Sequence, residues 1–86
     1  MPEISRFYGI VIKMYFVDHI PPHFHAEYQG EVAEYDIRTL DVLAGNIRKR
    51  AHAMVLEWAS LHKEELLDNW NKSLIPEKLT KIDPLD

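Results

Sequence analysis

The 86-residue sequence predicts an α+β domain, with an antiparallel sheet of three to four strands (β-β-β-(β)-α) and one long helix packed on one face. Two observations carry this prediction. Apolar and polar residues alternate through much of the N-terminal half, which is typical of strands with one buried face. Apolar residues then recur every few positions from Ile47 to about Trp70, which is typical of an amphipathic helix.

The first predicted strand is Ile10–Val17, where β-branched and aromatic residues are dense. Its buried face would consist of alternate side chains: Ile10, Ile12, Met14 and Phe16. Pro21 and Pro22 follow, and proline fixes φ and cannot donate a hydrogen bond to a sheet. The sequence therefore predicts a stiff connector over residues 18–22.

A β-hairpin is predicted next, with Gln29-Gly30 as its two-residue loop, because Gly30 tolerates the positive φ that such loops require. In this register His25 faces Glu34 and His23 faces Asp36, all on one polar face. The other face would turn apolar side chains towards the helix: Phe24, Ala26, Tyr28, Ala33, Tyr35 and Ile37.

Over residues 42–86 the sequence predicts a short edge strand, then the long helix and finally an arm. Val42–Ala44 would add the strand, and Asn46 would cap the helix that begins at Ile47. After Asn71, Pro76 and Pro84 favour an extended arm over a second helix. We expect a single α+β domain over residues 1–71, followed by an extended or partly ordered arm over residues 72–86.

Composition excludes several classes of protein. The chain has 14 acidic and 10 basic residues, a net charge of −4 and no cysteine, so it is neither a disulfide scaffold nor a general binder of phosphate backbones. No apolar run approaches the roughly 20 residues that span a bilayer, and no signal-peptide pattern is present. We expect a cytoplasmic protein, and its small core makes a homo-oligomer a reasonable expectation.

The polar face of the hairpin predicts a cluster of groups that bind metals or transfer protons. Imidazole and carboxylate are ligands of divalent zinc and manganese, and the candidate metal ligands are His19, His23, His25 and Glu27. Asp18 could join them from the connector. The same groups could act as general acid and base, and the candidate catalytic residues are His23, His25, Glu34 and Asp36. A third interpretation is a solvated sheet face with ordinary cross-strand pairs.

A basic cluster, Arg48-Lys49-Arg50, lies at the predicted start of the helix, where the helix dipole disfavours cations. These residues could bind an anion, such as RNA phosphate, or the acidic surface of a partner. Alternatively, they form a solvated patch that acids of the sheet half, Asp36 or Asp41, stabilise. Trp58 and Trp70 lie on the apolar face of the helix, and we expect both to pack in the core.

Three segments carry a recognisable pattern: Pro2–Ile10 (PEISRFYGI), Asp18–Ala26 (DHIPPHFHA) and Leu56–Trp70 (LEW, then HKEELL and a further Trp). Together they resemble a family of short bacterial proteins known as domain of unknown function 4160. The resemblance implies a small protein, often encoded beside another short protein in a layout like that of toxin–antitoxin pairs. It implies no catalytic residue, because the family has no established activity.

The sequence therefore favours a cytoplasmic protein-interaction module, one half of a two-gene, toxin–antitoxin-like system, with a protein as its partner. The alternative is a small metal-dependent or histidine-based ribonuclease. In that enzyme His23, His25, Glu34 and Asp36 would perform the chemistry, with zinc or manganese as an optional cofactor. The residues of Arg48–Arg50 would hold phosphate, although the net negative charge counts against nucleic acid as a ligand.

Overall fold

Five strands and two helices form the described part of the chain, which in the computed structural model comprises residues 3–75 and 78–86. The elements are β1 (Glu3–Phe7), β2 (Ile10–Lys13), β3 (His23–Tyr28), β4 (Glu31–Asp36), β5 (Val42–Gly45), α1 (Lys49–Leu61) and α2 (Lys63–Leu74). The strands make one antiparallel sheet in the order β1-β2-β3-β4-β5. The α+β class is confirmed, with more strands and one more helix than predicted. Pro2 and Pro76 lie outside the described residues.

The N-terminal hairpin differs most from the prediction of one strand over residues 10–17. β1 pairs with β2 across a Tyr8-Gly9 loop in which both residues have positive φ. A bulge in β1 turns the adjacent side chains of Ile4 and Ser5 both inward, which hides the alternation that would reveal a strand. β2 ends at Lys13, so Phe16 lies outside the sheet and is 44% exposed instead of buried.

The second hairpin confirms its predicted register. His23 pairs with Asp36 and His25 with Glu34, and the chain turns at Gln29-Gly30. The apolar face is buried as expected: Phe24, Ala26, Ala33, Tyr35 and Ile37 are at most 1% exposed, and Tyr28 is half-buried. β5 then adds the predicted edge strand beside β4.

The core forms where α1 packs on this apolar face, with Trp58 at its centre. The Trp58 ring lies 5.4 Å from the Phe7 ring and meets the Phe24 ring edge-on at 5.9 Å. Phe24 in turn stacks on Tyr35 at 5.3 Å. Such tilted and offset contacts are the favoured geometries of aromatic pairs, so they stabilise this small core beyond the area that they bury.

The start of α1 corrects the predicted N-cap. The helix begins at Lys49, two residues after the predicted Ile47, and Arg48 occupies the N-cap position without a capping side-chain hydrogen bond. Asn46 is therefore not the cap, since it lies too far from the first helical turn. In the described residues, neither helix combines the length and the apolar character needed to cross a bilayer.

The predicted single helix is wrong, because the chain bends at His62. The His62 N–H donates to the Ala59 carbonyl at 3.1 Å, which closes α1 with a tight turn, and its Nδ1 lies 2.6 Å from Glu65 Oε1 in α2. The His62 ring also packs on Trp58 at 5.5 Å. These contacts redirect α2, and Trp70 is buried in the core as predicted, with its ring 5.2 Å from the ring of His23.

Residues 78–86 form an arm without regular secondary structure that crosses the edge of β1. The Ile82 N–H donates to the Ile4 carbonyl at 2.8 Å, and the Ile82 side chain is buried. The Trp58 indole N–H donates to the Asp83 carbonyl. Buried Asn69 holds Thr80 at two points, since its amide donates to the Thr80 carbonyl and accepts from the Thr80 N–H, both at 2.8 Å.

Substitution Asn69→Ala should lower the free energy of unfolding by about 1–3 kcal/mol, because it removes both hydrogen bonds and leaves backbone groups of the arm unpaired. Urea denaturation followed by tryptophan fluorescence measures this. Asn46→Ala is the matched control, and it should change the free energy by no more than about 0.5 kcal/mol because Asn46 does not cap α1. Equal losses in the two variants would contradict the described role of Asn69.

Candidate functional site

The candidate site forms where the connector folds back over the start of β3. In the structure the connector is longer than the predicted residues 18–22, because β2 ends at Lys13, and from here on the name means residues 14–22. The Val17 N–H donates to the Ser73 carbonyl at 2.9 Å, which fixes the connector to α2. Asp18 and His19 are thereby brought beside two histidines of the sheet. We call the resulting group the histidine cluster, and its members are Asp18, His19, His23, His25 and Glu34.

His23 is the centre of the cluster and is buried, at 1% exposure. Its Nδ1 lies 2.7 Å from the Pro21 carbonyl oxygen, and since a carbonyl only accepts, Nδ1 carries a proton and donates. Its Nε2 lies 3.1 Å from Asp18 Oδ2 and 3.6 Å from Glu34 Oε1. The expectation of a solvated face is wrong for this residue, because the connector and the Trp70 ring cover it.

His25 lies next to His23 on the same face, with its Nε2 3.8 Å from Glu34 Oε2. Its Nδ1 is buried and has no hydrogen-bond partner among the described residues. The edge of its ring meets the Tyr15 ring at 4.6 Å. Burial lowers the pKa of His25 because it disfavours the imidazolium, and the Glu34 carboxylate opposes part of this shift.

Asp18 and His19 are the two members of the histidine cluster that lie in the connector. Burial alone would raise the pKa of Asp18. The His19 N–H donates to Asp18 Oδ1 at 2.8 Å, and the imidazoles of His23 and His19 lie nearby. These groups stabilise the carboxylate by more than burial disfavours it, so the pKa of Asp18 is lowered. The His19 ring is mostly exposed, with its Nδ1 2.8 Å from the same oxygen. Asp18 thus presents its second oxygen, Oδ2, to His23.

Two predicted site residues lie apart from the cluster. Asp36 is opposite His23 in the sheet, but its Oδ1 accepts hydrogen bonds from the N–H groups of Arg38 and Thr39, so it caps the turn after β4. Glu27 pairs with Lys13, whose Nζ lies 3.0 Å from Glu27 Oε2. The structure therefore brings together His19, His23, His25 and Glu34 of the predicted residues, and Asp18 joins them from the connector, as the sequence analysis allowed.

The basic residues Arg48, Lys49 and Arg50 are exposed at the other end of the hairpin. The Arg48 N–H donates to Glu31 Oε1 at 3.0 Å, so the acid that meets this cluster is Glu31 and not Asp36 or Asp41. Glu31 and Asp36 are the two ends of β4, about 17 Å apart at about 3.4 Å per residue. The structure does not bring the basic cluster to the histidine cluster.

A groove adjoins the histidine cluster on the side of α2, and we call it the connector groove. Its volume is about 780 Å³, and its walls are Ile20, Pro21, Pro22, Arg38, Leu67, Trp70, Asn71 and Leu74. Trp70 belongs to both sites, since its ring also lies 5.2 Å from His23. No carboxylate in residues 3–75 or 78–86 lies within ion-pair distance of Arg38.

Chemically, the cluster offers two sets of three ligand atoms that share His23. One set is Asp18, His23 and His25, and the other is His19, His23 and Glu34, with the three atoms of each set within 4.8 Å of one another. Such sets suit a divalent cation or the sharing of a proton. The short spacing between Asp18 and His23 is the signal in the sequence, because with only four residues between them Asp18 cannot lie far from the start of β3.

These features define a small α+β protein whose sheet carries an aromatic core on one face and a histidine cluster on the other. The chain belongs to the family described as Domain of unknown function (DUF4160), whose model matches residues 9–71. The match confirms the resemblance seen in the sequence and includes every residue of the histidine cluster. No curated protein and no solved structure matches the chain.

The lowered pKa of His25 predicts a specific dependence of stability on pH in metal-free, chelator-containing buffer. As the pH falls below about 6.5, the unfolded chain binds a proton at His25 before the folded chain does, so folding stability is lost until the folded pKa is reached. His25→Gln should make the profile of unfolding free energy shallower between pH 7 and pH 5, as urea titrations would measure. The pKa of Asp18 is also lowered, so its protonation affects stability at a lower pH than that of His25. Parallel profiles for the wild type and His25→Gln would show that His25 does not cause this pH dependence.

Proposed function

We propose that this protein is a cytoplasmic protein-interaction module that binds an apolar, carboxylate-bearing segment of a partner protein in the connector groove. The observation that carries the proposal is a concentration of exposed apolar side chains around the groove. Ile20 and Leu74, which line the groove, are 78% and 42% exposed, and Ile75, which follows Leu74 in the chain, is 66% exposed. Large side chains of this type, grouped on one surface, are typical of interaction sites.

The walls of the groove indicate what kind of segment would fit. Leu67, Trp70 and the prolines offer apolar surface, and a tryptophan in a pocket is a frequent anchor of binding energy. Arg38 adds a guanidinium, and Lys63 places a second cation nearby, because its Nζ donates to the Arg38 carbonyl at 3.0 Å. A segment with both an apolar side chain and a carboxylate would complement these groups.

In a narrower form of this proposal, the partner is the second protein of a bacterial, toxin–antitoxin-like gene pair, which is what the resemblance of the sequence implies. In that form the groove binds a segment of the partner, and no catalytic step is required. Co-expression with the neighbouring gene product, with the groove intact or blocked, would test whether the pair associates through this surface.

The second candidate function is a small histidine-based or metal-dependent ribonuclease. The proximity of His23, His25 and Glu34 favours it, since these groups could activate a nucleophile. The remaining parts of that hypothesis have less support, because Asp36 caps a turn and the cations of Arg48–Arg50 lie at the far end of the sheet. Binding in the connector groove therefore agrees better with the geometry.

The groove should bind N-acetyl-leucine, which combines an apolar side chain with a carboxylate, more tightly than N-acetyl-leucinamide, which lacks the charge. Two-dimensional NMR titration should show saturable shifts of the Trp70 indole and of Leu67 and Leu74 methyl groups, with a dissociation constant on the order of 1 mM. Arg38→Gln should abolish the preference for the acid. Equal binding of both probes, or no shifts at these residues, would refute the proposal.

A pair of leucine variants provides the control for this experiment. Leu74→Glu places a carboxylate in the groove, which repels the carboxylate of the probe, and it should remove binding. Leu61→Glu changes an exposed leucine at the end of α1, outside the groove, and should leave binding unchanged. If both variants bind like the wild type, the probe does not occupy the connector groove.

A further inference from the structure

Nε2 of His23 lies within hydrogen-bond distance of one carboxylate oxygen and close to another, at 3.1 Å from Asp18 Oδ2 and 3.6 Å from Glu34 Oε1. Because Nδ1 donates to the Pro21 carbonyl, Nε2 of a neutral ring would turn a lone pair towards these oxygens. Ionised carboxylates only accept hydrogen bonds. These atoms therefore repel one another unless something positive lies among them, either a proton on Nε2 or a metal cation.

The ligand atoms of the cluster lie close enough together to reach one small divalent ion. Bonds of roughly 2.0–2.1 Å at tetrahedral angles separate two ligand atoms by about 3.3 Å. Nε2 of His23 lies 3.1 Å from Asp18 Oδ2, and His25 offers a ring nitrogen within 4.8 Å of both residues. Small rotations of the side chains would close this set around one ion.

The ring nitrogens of His25 have no close hydrogen-bond partner among the described residues. Its Nδ1 is buried without a hydrogen-bond partner, and its Nε2 has only the distant contact with Glu34 at 3.8 Å. An unpaired polar atom in a buried position costs stability, so its retention needs an explanation. Coordination of a cation by Nδ1 would supply that explanation, because it uses a lone pair that nothing else in the described chain uses and leaves the Nε2 proton facing Glu34.

Hydrogen bonds to neighbouring backbone groups orient His23 and Asp18, as is usual for the ligands of metal sites. The Pro21 carbonyl fixes the tautomer and the orientation of the His23 ring, and the His19 N–H fixes the Asp18 carboxylate through its other oxygen. Trp70 covers one side of His23 and limits access of water. The ligand atoms are thus oriented by second hydrogen bonds that leave Nε2 and Oδ2 facing each other.

We propose that Asp18, His23 and His25 bind one zinc ion per chain, with the fourth position open to water or to a partner's side chain. Two imidazoles and one carboxylate are a ligand set of catalytic zinc sites. Glu34 lies 3.6 Å from His23 Nε2 and 3.8 Å from His25 Nε2, so its carboxylate adds negative charge beside the proposed ion. The proposal is independent of the connector groove, since it needs only the cluster.

Isothermal titration of chelator-treated, dialysed full-length protein with Zn²⁺ tests the site, with Mg²⁺ as the comparison ion. We expect one Zn²⁺ per chain and no saturable binding of Mg²⁺, because imidazole ligands suit zinc and not magnesium. Co²⁺ in place of Zn²⁺ should give the visible absorption of a four-coordinate ion. Absence of saturable Zn²⁺ binding by the folded wild-type protein would overturn the proposal and leave a shared proton as the positive charge.

Substitutions of the half-buried residues Asp18 and His25 test which side chains bind the ion. His23 is left unchanged because it is buried, so its substitution could unfold the protein. Asp18→Asn and His25→Gln should each weaken Zn²⁺ binding by at least about tenfold. Glu27→Gln and His52→Gln are matched controls and should bind as the wild type does, since Glu27 pairs with Lys13 and His52 bonds to the Tyr35 hydroxyl at 2.7 Å. An amide NMR spectrum confirms that each variant is folded.

The competing ligand set gives a distinct result. His19→Ala should leave Zn²⁺ affinity within about threefold of the wild type, because we place His19 outside the coordination shell. If His19→Ala and Glu34→Gln weaken binding while Asp18→Asn and His25→Gln do not, the other triad holds the ion and our assignment is wrong. Equal weakening by the control variants would show that binding is adventitious, which also overturns it.

Discussion

The register of β3 against β4 decides which side chains meet on each face of the sheet. Successive side chains of a strand point to opposite faces, so a slip of one residue would exchange Phe24 and Tyr35 for His23 and Glu34. Gln29 and Gly30, both at positive φ, restrict the loop to two residues and so set the register. The aromatic core and the histidine cluster therefore depend on the same loop.

The bend at His62 connects the core to the candidate site. Because of this bend, the apolar residues that continue from α1 into α2 pack in two places. Trp58 packs on the ring of Phe24 in the sheet, and Trp70 packs on the ring of His23. α2 also anchors the connector through the Ser73 carbonyl and the arm through Asn69. The cluster is consequently held by segments that are distant in sequence, and its geometry depends on the whole domain being folded.

Sequence patterns predicted those parts of the molecule that local chemistry determines. The Gln29-Gly30 loop and the alternation around it were sufficient for the hairpin, its register and the pairing of His25 with Glu34. β1 was not predicted because its bulge interrupts the alternation at Ile4 and Ser5. The bend at His62 depends on contacts with Trp58 and Glu65, which spacing alone does not reveal. The place of Asp18 depends on how the connector folds over the sheet.

The two edges of the sheet differ in a way that limits how copies of it could join. Along β1 the arm occupies the Ile4 carbonyl, whereas β5 has no neighbouring strand on its outer side within the described residues. Pairing of another strand along β1 would have to displace Ile82 from the Ile4 carbonyl, whereas pairing along β5 would not require this. The arm therefore protects one edge of the sheet from the edge-to-edge pairing that joins copies of a sheet.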